Sequence, residues 1–328
     1  MINNELMTNE QEKSVNRINY SFIKLLTGSD LSKRRIPYMT IRNPSPGPVV
    51  WITACLHGDE TGGTVIIHEI FKKLRRNLCR GSIHAFPLVN PFGFEAVSRH
   101  IVLSKEDLNR SFPGDERGSL AERIAHKVFT YITDTHPSLV LDLHNDWNKS
   151  IPYVLIDPPQ KIPVDGTIRK YAANTGLLMI QDNETLSTSL THNLIAGNIP
   201  ALVLEMGESY IINERNIETG YLAVLNILRE LDMITLPPET SSYNLPAEFK
   251  NKLLYYSSRP LSSTSGLIRF FVKPGDTVKK GQRVARIYNA FGKVTETIFS
   301  VHSGIVIGLT DTAISFPGSP VMAMGYFE

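Results

Sequence analysis

Apolar positions along the first 235 residues follow two alternating patterns. Short apolar runs at 36–42, 48–56, 82–89, 138–144, 153–156 and 201–205 read as strands. Between them apolar residues recur every three or four positions, as Val65, Ile66, Ile70, Phe71 and Leu74 do, and predict helices over 64–76, 119–133, 165–175 and 216–232. Ser119, with Glu122 three residues on, has the spacing of a reciprocal helix cap. Most of the strand runs are uniformly apolar, which suits strands covered on both faces. The fold expected is therefore α/β: a mixed, largely parallel sheet with helices on both sides. Sheets of this kind gather their ligands outside the carboxyl ends of the strands.

The pattern changes at residue 236. Residues 236–246, Leu-Pro-Pro-Glu-Thr-Ser-Ser-Tyr-Asn-Leu-Pro, have linker composition, and short strands punctuated by Gly266, Gly275, Gly281, Gly292, Gly304 and Gly308 follow. The expected organisation is a polar N-terminal segment (1–20), an α/β domain (21–235), a linker (236–250) and a small all-β domain (251–328). Val272 to Gln282 resembles the turn of a biotinyl/lipoyl-type barrel-sandwich, and Ser303-Gly304-Ile305-Val306 resembles the turn of its second half. Lys293 stands where such a domain carries its modified lysine, but Gly292 and Val294 replace the methionines of the biotin motif, so an unmodified turn lysine is expected. The β domain is expected to shape the entrance of a site or an oligomer contact, which leaves self-association open.

Composition narrows the function. A chain of 328 residues with 42% hydrophobic and 20% charged residues can bury a sizeable core. A formal charge of +2 argues against nucleic acid as partner. No apolar stretch approaches membrane-spanning length, and 1–16 contains no signal core, so a cytoplasmic protein is expected. Cys55 and Cys79 form no CxxC; Cys55, inside an apolar run, reads as a buried free thiol.

The chemistry sits at the ends of the strands. His57-Gly58-Asp59-Glu60 follows the run 49–56, and an imidazole and a carboxylate three residues apart make an N/O clamp for a divalent metal. A catalytic zinc takes three such ligands and leaves a fourth position for water. His144, closing the run 138–144, is the third candidate, with Asp142 on the same side of the strand as an acceptor able to orient an imidazole. Glu205 ends another run and is the candidate base, with Glu208 as its competitor. Asn109-Arg110 offers a clamp for a carboxylate, and Arg99 a cation for a developing oxyanion. A loop-stabilising Arg–Asp pair is the plainer reading of the same loop. No Gly-x-Ser-x-Gly elbow and no phosphate-binding loop is present.

Together these motifs resemble the succinylglutamate desuccinylase/aspartoacylase family of the zinc-carboxypeptidase-like superfamily. The resemblance rests on His57-x-x-Glu60, Arg99, Asp107-Leu108-Asn109-Arg110-x-Phe112-Pro113-Gly114, Asp142-Leu143-His144, and Pro200 with Glu205-x-Gly207. It implies one zinc per chain on His57, Glu60 and His144, with Glu205 as general base and acid. It also implies Arg99 on the carbonyl oxygen, Asn109 and Arg110 on the substrate carboxylate, and hydrolysis of the amide of a small, acidic N-acyl amino acid. Residues 145–200 carry no motif that assigns the acyl-reading residue, and the substrate-closing tyrosine is unplaced, Tyr210 being one candidate. A zinc carboxypeptidase for short peptides and a non-catalytic adaptor are the alternatives.

Overall fold

The apolar runs become neighbouring strands of one sheet because their side chains are buried on both faces. In the computed structural model, which describes residues 15–28, 31–238, 243 and 245–327, β1 (Ile18–Thr27) and β2 (Lys33–Arg42) open the chain as an antiparallel pair. Then come β3 (Val49–Ala54), α1 (Gly62–Asn77), β4 (Ser82–Phe86), the short α2 (Pro91–Glu95), α3 (Leu120–Thr133) and β5 (Leu139–His144). β6 (Lys149–Ser150), β7 (Tyr153–Ile156), α4 (Asp165–Asn174), β8 (Leu178–Gln181), α5 (Leu190–Ala196), β9 (Ala201–Glu205) and α6 (Glu214–Glu230) follow. The remaining strands are β10 (Leu253–Ser257), β11 (Gly266–Phe270), β12 (Thr277–Val278), β13 (Arg283–Tyr288), β14 (Val294–Phe299), β15 (Gly304–Leu309), β16 (Ile314–Ser315) and β17 (Met322–Tyr326).

The main sheet runs β1-β2-β4-β3-β5-β9-β7-β8-β10-β17-β15-β12. Its centre is parallel (β4, β3, β5, β9), and β7 runs antiparallel to β9 but parallel to β8. This is the mixed α/β sheet the sequence predicts. β3 and β5 are almost wholly buried. α1 packs on α6, and α6 on α4. Ser119 and Glu122 make the reciprocal cap at the start of α3. The C-terminal strands form a second, antiparallel sheet, β14-β13-β11-β16, while β10, β17, β15 and β12 extend the main sheet. The two resembling turns lie side by side, Thr277 pairing with Ile305 and Val278 with Gly304.

The structure adds elements where periodicity is weak. β1 buries one residue of ten, Ile23, so an edge strand runs through what reads as a polar stretch. β8 and α5 lie in the segment without motifs. α6 starts at Glu214 rather than 216, because the Asn213 side chain accepts from the N–H groups of Arg215 and Asn216. Most of the expected N-terminal segment, and residues 239–242 and 244 of the expected linker, lie outside the described residues. No helix among the described residues is long and apolar enough to cross a membrane.

Candidate metal centre

The end of β3 sets the geometry. Cys55 takes a left-handed φ of 57°, turning the chain out of the sheet so that His57 and Glu60 come back over the strand end. Its thiol, fully buried, donates to His57 O at 3.3 Å and holds the turn. Burial, then the neighbouring Glu60 and Asp59 carboxylates, push that thiol up to about 12, so Cys55 stays protonated and structural. β5, the parallel neighbour of β3, delivers His144 at its own carboxyl end.

Glu60 bridges the two imidazoles. Its Oε1 lies 2.7 Å from His57 Nδ1 and its Oε2 2.8 Å from His144 Nδ1. Asn145 N–H also donates to Oε2, at 3.1 Å. The outer ring nitrogens are held by carboxylates: His57 Nε2 by Asp107 Oδ1 at 3.1 Å and His144 Nε2 by Asp142 Oδ2 at 2.9 Å. Asp142 Oδ1 accepts from the Thr53 hydroxyl at 2.6 Å. Both Nδ1 atoms thus face one carboxylate while both Nε2 atoms are anchored, the arrangement that orients metal-ligating histidines. One ligand atom from each of His57, Glu60 and His144 lies within 4.8 Å of the others, and all three residues are buried.

Electrostatics fits a cation here. Burial alone would lower His57, but Glu60 and Asp107 outweigh it and raise it; for His144, Asp142 and Glu60 do the same. Burial would raise Glu60, and the two histidines hold it well below the usual carboxylate range instead. Three buried or half-buried carboxylates around two imidazoles make a negative nest, and two imidazole nitrogens with one carboxylate are a donor set that zinc accepts.

A cavity of about 200 Å³ opens over this cluster, and His57, Glu60, Arg99, Asn109, Arg110, His144 and Glu205 all line it. Arg99 is aimed by Asp107, whose Oδ2 accepts from its Nε at 3.1 Å and lies 3.0 Å from a terminal guanidinium nitrogen. Arg110 is half-exposed, 3.9 Å from the same oxygen. Asn109 Oδ1 accepts from Leu190 N–H at 3.0 Å, and its NH2 group has no acceptor among the described residues. Glu205 pairs in register with His144 on one side and Tyr153 on the other. Its Oε2 is buried without a hydrogen-bond partner among the described residues. Burial, and then the nearby Asp146, raise Glu205 well above the usual carboxylate range, against the lowering pull of His144 and Arg99. Glu208 is held away by Asn213 Nδ2 at 2.6 Å, and Tyr210 is exposed on a left-handed turn; neither lines the cavity.

Comparison with known proteins settles the lineage. Residues 46–231, more than half the chain, match the model of the succinylglutamate desuccinylase/aspartoacylase catalytic domain. The chain belongs to that family. Among its relatives is the N-alpha-acetyl-L-2,4-diaminobutyric acid deacetylase of Halomonas elongata, 28% identical over 286 residues, covering 83% of this chain and 80% of the relative. A succinylglutamate desuccinylase/aspartoacylase from Rhodobacter sphaeroides has the same fold, with a TM-score of 0.81, 20% identity, and coverage of 96% of this chain and 97% of that one. A metallo-carboxypeptidase from Burkholderia cenocepacia shares the central fold, with a TM-score of 0.53 and 17% identity over 68% of this chain and 66% of its own. This member of the family is thus a hydrolase of the deacylase type.

Several cavity residues carry no sequence motif: Asn145, Asp146, Asp157, Asp182 and Thr191; Asp107 stands in the motif of its loop, but its contact with His57 was not read from it. Asp157 and Asp182 each directly follow an apolar strand, the same signal that marks His57, His144 and Glu205.

Proposed function

We propose that the protein is a zinc-dependent amidohydrolase that removes the acyl group from a small N-acyl amino acid. The observation that carries the reading is the Glu60 bridge between two Nδ1 atoms, beneath a cavity that also holds the unpartnered Glu205 Oε2. The metal would rest on His57, Glu60 and His144. Zinc bound there supplies Lewis acidity, polarising the amide carbonyl and acidifying a water.

The chain's own groups do the rest. The Asn109 NH2 and the Arg110 guanidinium receive the substrate carboxylate, a planar acceptor suited to two parallel hydrogen bonds. Arg99, fixed by Asp107, places positive charge where the carbonyl oxygen gains electrons. Glu205 takes the proton of the attacking water and returns it to the departing amine. A carboxylate raised by burial suits both halves of that task.

The Halomonas relative is named for an N-acyl amino acid, which supports the substrate class. A cavity of about 200 Å³ also favours a small molecule over a peptide, since drug-sized ligands occupy roughly 300–1,000 Å³. The test is Glu205→Gln. Zinc content should stay near one per chain while turnover of acyl-amino acids falls by about 10²–10⁴-fold. A variant as active as the wild type removes Glu205 from the mechanism.

A further inference from the structure

The second sheet leaves one face uncovered by any of the described residues. Ile268 of β11, Val284 and Ile287 of β13 and Ile298 of β14 are buried in a core shared with Val306 of β15 and Met324 of β17. The opposite face sets Arg269, Arg283 and Arg286 among aromatic rings. The guanidinium carbons of Arg283 and Arg286 lie 4.7 and 5.8 Å from the centre of the Phe271 ring, and that of Arg269 lies 5.9 Å from the centre of the Tyr288 ring. Residues three apart on a regular strand point to opposite faces. Here the pairing of β13 with β14 slips, Arg283 standing opposite Phe299 and Ala285 opposite Ile298, and the bulge turns Arg283 to the side of Arg286. Bulges re-aim side chains in this way beside functional sites.

Arg283 and Arg286, with Gln282, Thr297 and the half-exposed rings of Phe271 and Phe299, line a cleft of about 630 Å³. That lies within the roughly 300–1,000 Å³ of small-molecule sites. Every polar side chain of the cleft can donate a hydrogen bond, and no carboxylate lines it. Arg269, Arg283 and Arg286 have no ion pair or hydrogen bond among the described residues, and Arg286 Nε is buried without an acceptor. Glu296, the acidic residue of these strands, is engaged by Ser262, Ser263 and Thr264. Arg269 stands directly opposite Arg286 in register, a like-charge pairing that costs stability. Residues 251–328 hold nine lysines and arginines against four aspartates and glutamates, an imbalance hidden in the chain's formal charge of +2. A buried donor without an acceptor, beside unpaired cations, is costly unless a ligand brings negative charge.

Two features fix the class of that ligand. Guanidinium groups take phosphate oxygens through paired hydrogen bonds. Phe271 and Phe299 flank Arg283 on the neighbouring strands, and a half-exposed ring is a surface on which a planar base stacks. We propose that this face binds a nucleoside phosphate, with the phosphate on Arg283 and Arg286 and the base against Phe299. The cleft holds one such unit, and the chain's small net charge does not suit a nucleic-acid polymer. None of its residues lines the cavity over His57 and Glu205, so the site is separate from the metal centre and independent of the amidohydrolase reading.

Calorimetry on the zinc-loaded full chain tests the proposal, with AMP, adenosine, inorganic phosphate and a hexaglutamate peptide as probes. AMP should bind about ten-fold or more tighter than adenosine or phosphate, since each supplies only half of the contact. Arg283→Gln and Arg286→Gln should each weaken AMP by about ten-fold or more, the effect of losing a charge-assisted contact. Phe299→Leu should weaken AMP and leave phosphate unchanged. Glu205→Gln should not alter AMP affinity. The arginine substitutions relieve repulsion, so melting temperatures should hold or rise. Should a glutamine variant unfold, Arg283→Lys keeps the charge, loses the paired geometry and should still weaken AMP.

AMP that fails to bind overturns the site. So does AMP binding that the arginine substitutions leave unchanged, since the ligand would then sit elsewhere, the metal centre included. Phosphate binding as tightly as AMP, or hexaglutamate binding more tightly, would make the face a general anion or acidic-peptide surface and equally overturns the proposal.

Discussion

Asp107 joins the two halves of the site, and asparagine at this position has no orientation that satisfies its neighbours. Oδ1 accepts from His57 Nε2 at 3.1 Å and from Asn109 N–H at 2.9 Å. Oδ2 accepts from Arg99 Nε at 3.1 Å and lies 3.0 Å from a terminal nitrogen of the same guanidinium. A backbone N–H and a guanidinium can only donate. With its NH2 turned to Arg99, the asparagine loses the arginine. Turned the other way, it opposes Asn109 N–H and obliges His57 Nε2 to accept, which sends the ring proton to Nδ1, the nitrogen facing Glu60. A proton on that nitrogen competes with a metal. Loss of a carboxylate behind a ligating histidine costs about 10–100-fold in affinity, or about 1.4–2.7 kcal/mol. Asp107→Asn should therefore weaken zinc binding by that factor, read by competition with a chromophoric chelator. Melting of the chelated protein reports folding separately. Zinc affinity within two-fold of the wild type would refute the argument that Asp107 sets the tautomer of His57.

Two further outcomes follow from packing and from titration. At Gly63, in the first turn of α1, an added Cβ would meet Leu143 Cβ at 2.7 Å and Ala54 Cβ at 2.9 Å, so the helix rests directly on β3 and β5. Gly63→Ala should cost about 1–3 kcal/mol, and so lower the melting temperature by about 2–12 °C; an unchanged transition would mean the helix shifts freely. His84, buried, lies 2.6 Å from the Tyr38 hydroxyl, and burial and then Arg42 lower its pKa from 6.5 to about 4. Between those values the unfolded chain binds the extra proton, so this contribution is complete above pH 6.5 and fades as pH falls towards 4. Melting temperatures from pH 7 to 4.5 should therefore drop less steeply in His84→Gln than in the wild type, and parallel curves would contradict the assignment.

The site was readable in sequence where a strand end carries the chemistry. His57, His144 and Glu205 each close an apolar run, and the parallel order β3-β5-β9 brings those ends together. Arg99, Asn109 and Arg110 reach the same cavity from a loop, and only their motif marked them, since a loop path leaves no periodic trace. For the same reason the double duty of Asp107 was hidden. An Arg–Asp pair within the 107–114 loop is the reading the sequence offers, but the pairing of Asp107 with Arg99 and its contact with His57, fifty residues away, depend on how that loop folds back. β1 escaped because a strand that buries only Ile23 has no apolar rhythm to read. The run 153–156 reads as a strand, but Leu178–Gln181, four residues ending in a glutamine, does not, and only the sheet shows that Asp157 and Asp182 end neighbouring strands.

The loop after His144 explains why the C-terminal strands belong to the main sheet. That loop lines the cavity with Asn145 and Asp146, yet no helix follows to hold it. β15 takes the place of that helix. Ser150 pairs with Gly308 and Lys149 with Leu309, Ile151 N–H donates to Ile307 O at 3.0 Å, and Asn148 N–H donates to Asp311 Oδ1 at 2.5 Å. Gly308 lets the Trp147 ring lie on the strand, since a Cβ there would come within 2.8 Å of the indole. Tyr153, on the next strand, then donates its hydroxyl to Asp146 at 2.7 Å and closes the wall beside Glu205. A carrier arm must swing between stations, and strands stitched into the catalytic sheet at β8, β10 and β6 cannot. Lys293, exposed on the hairpin between β13 and β14, lies in the other sheet. What β15 does for the site is hold the cavity wall in place.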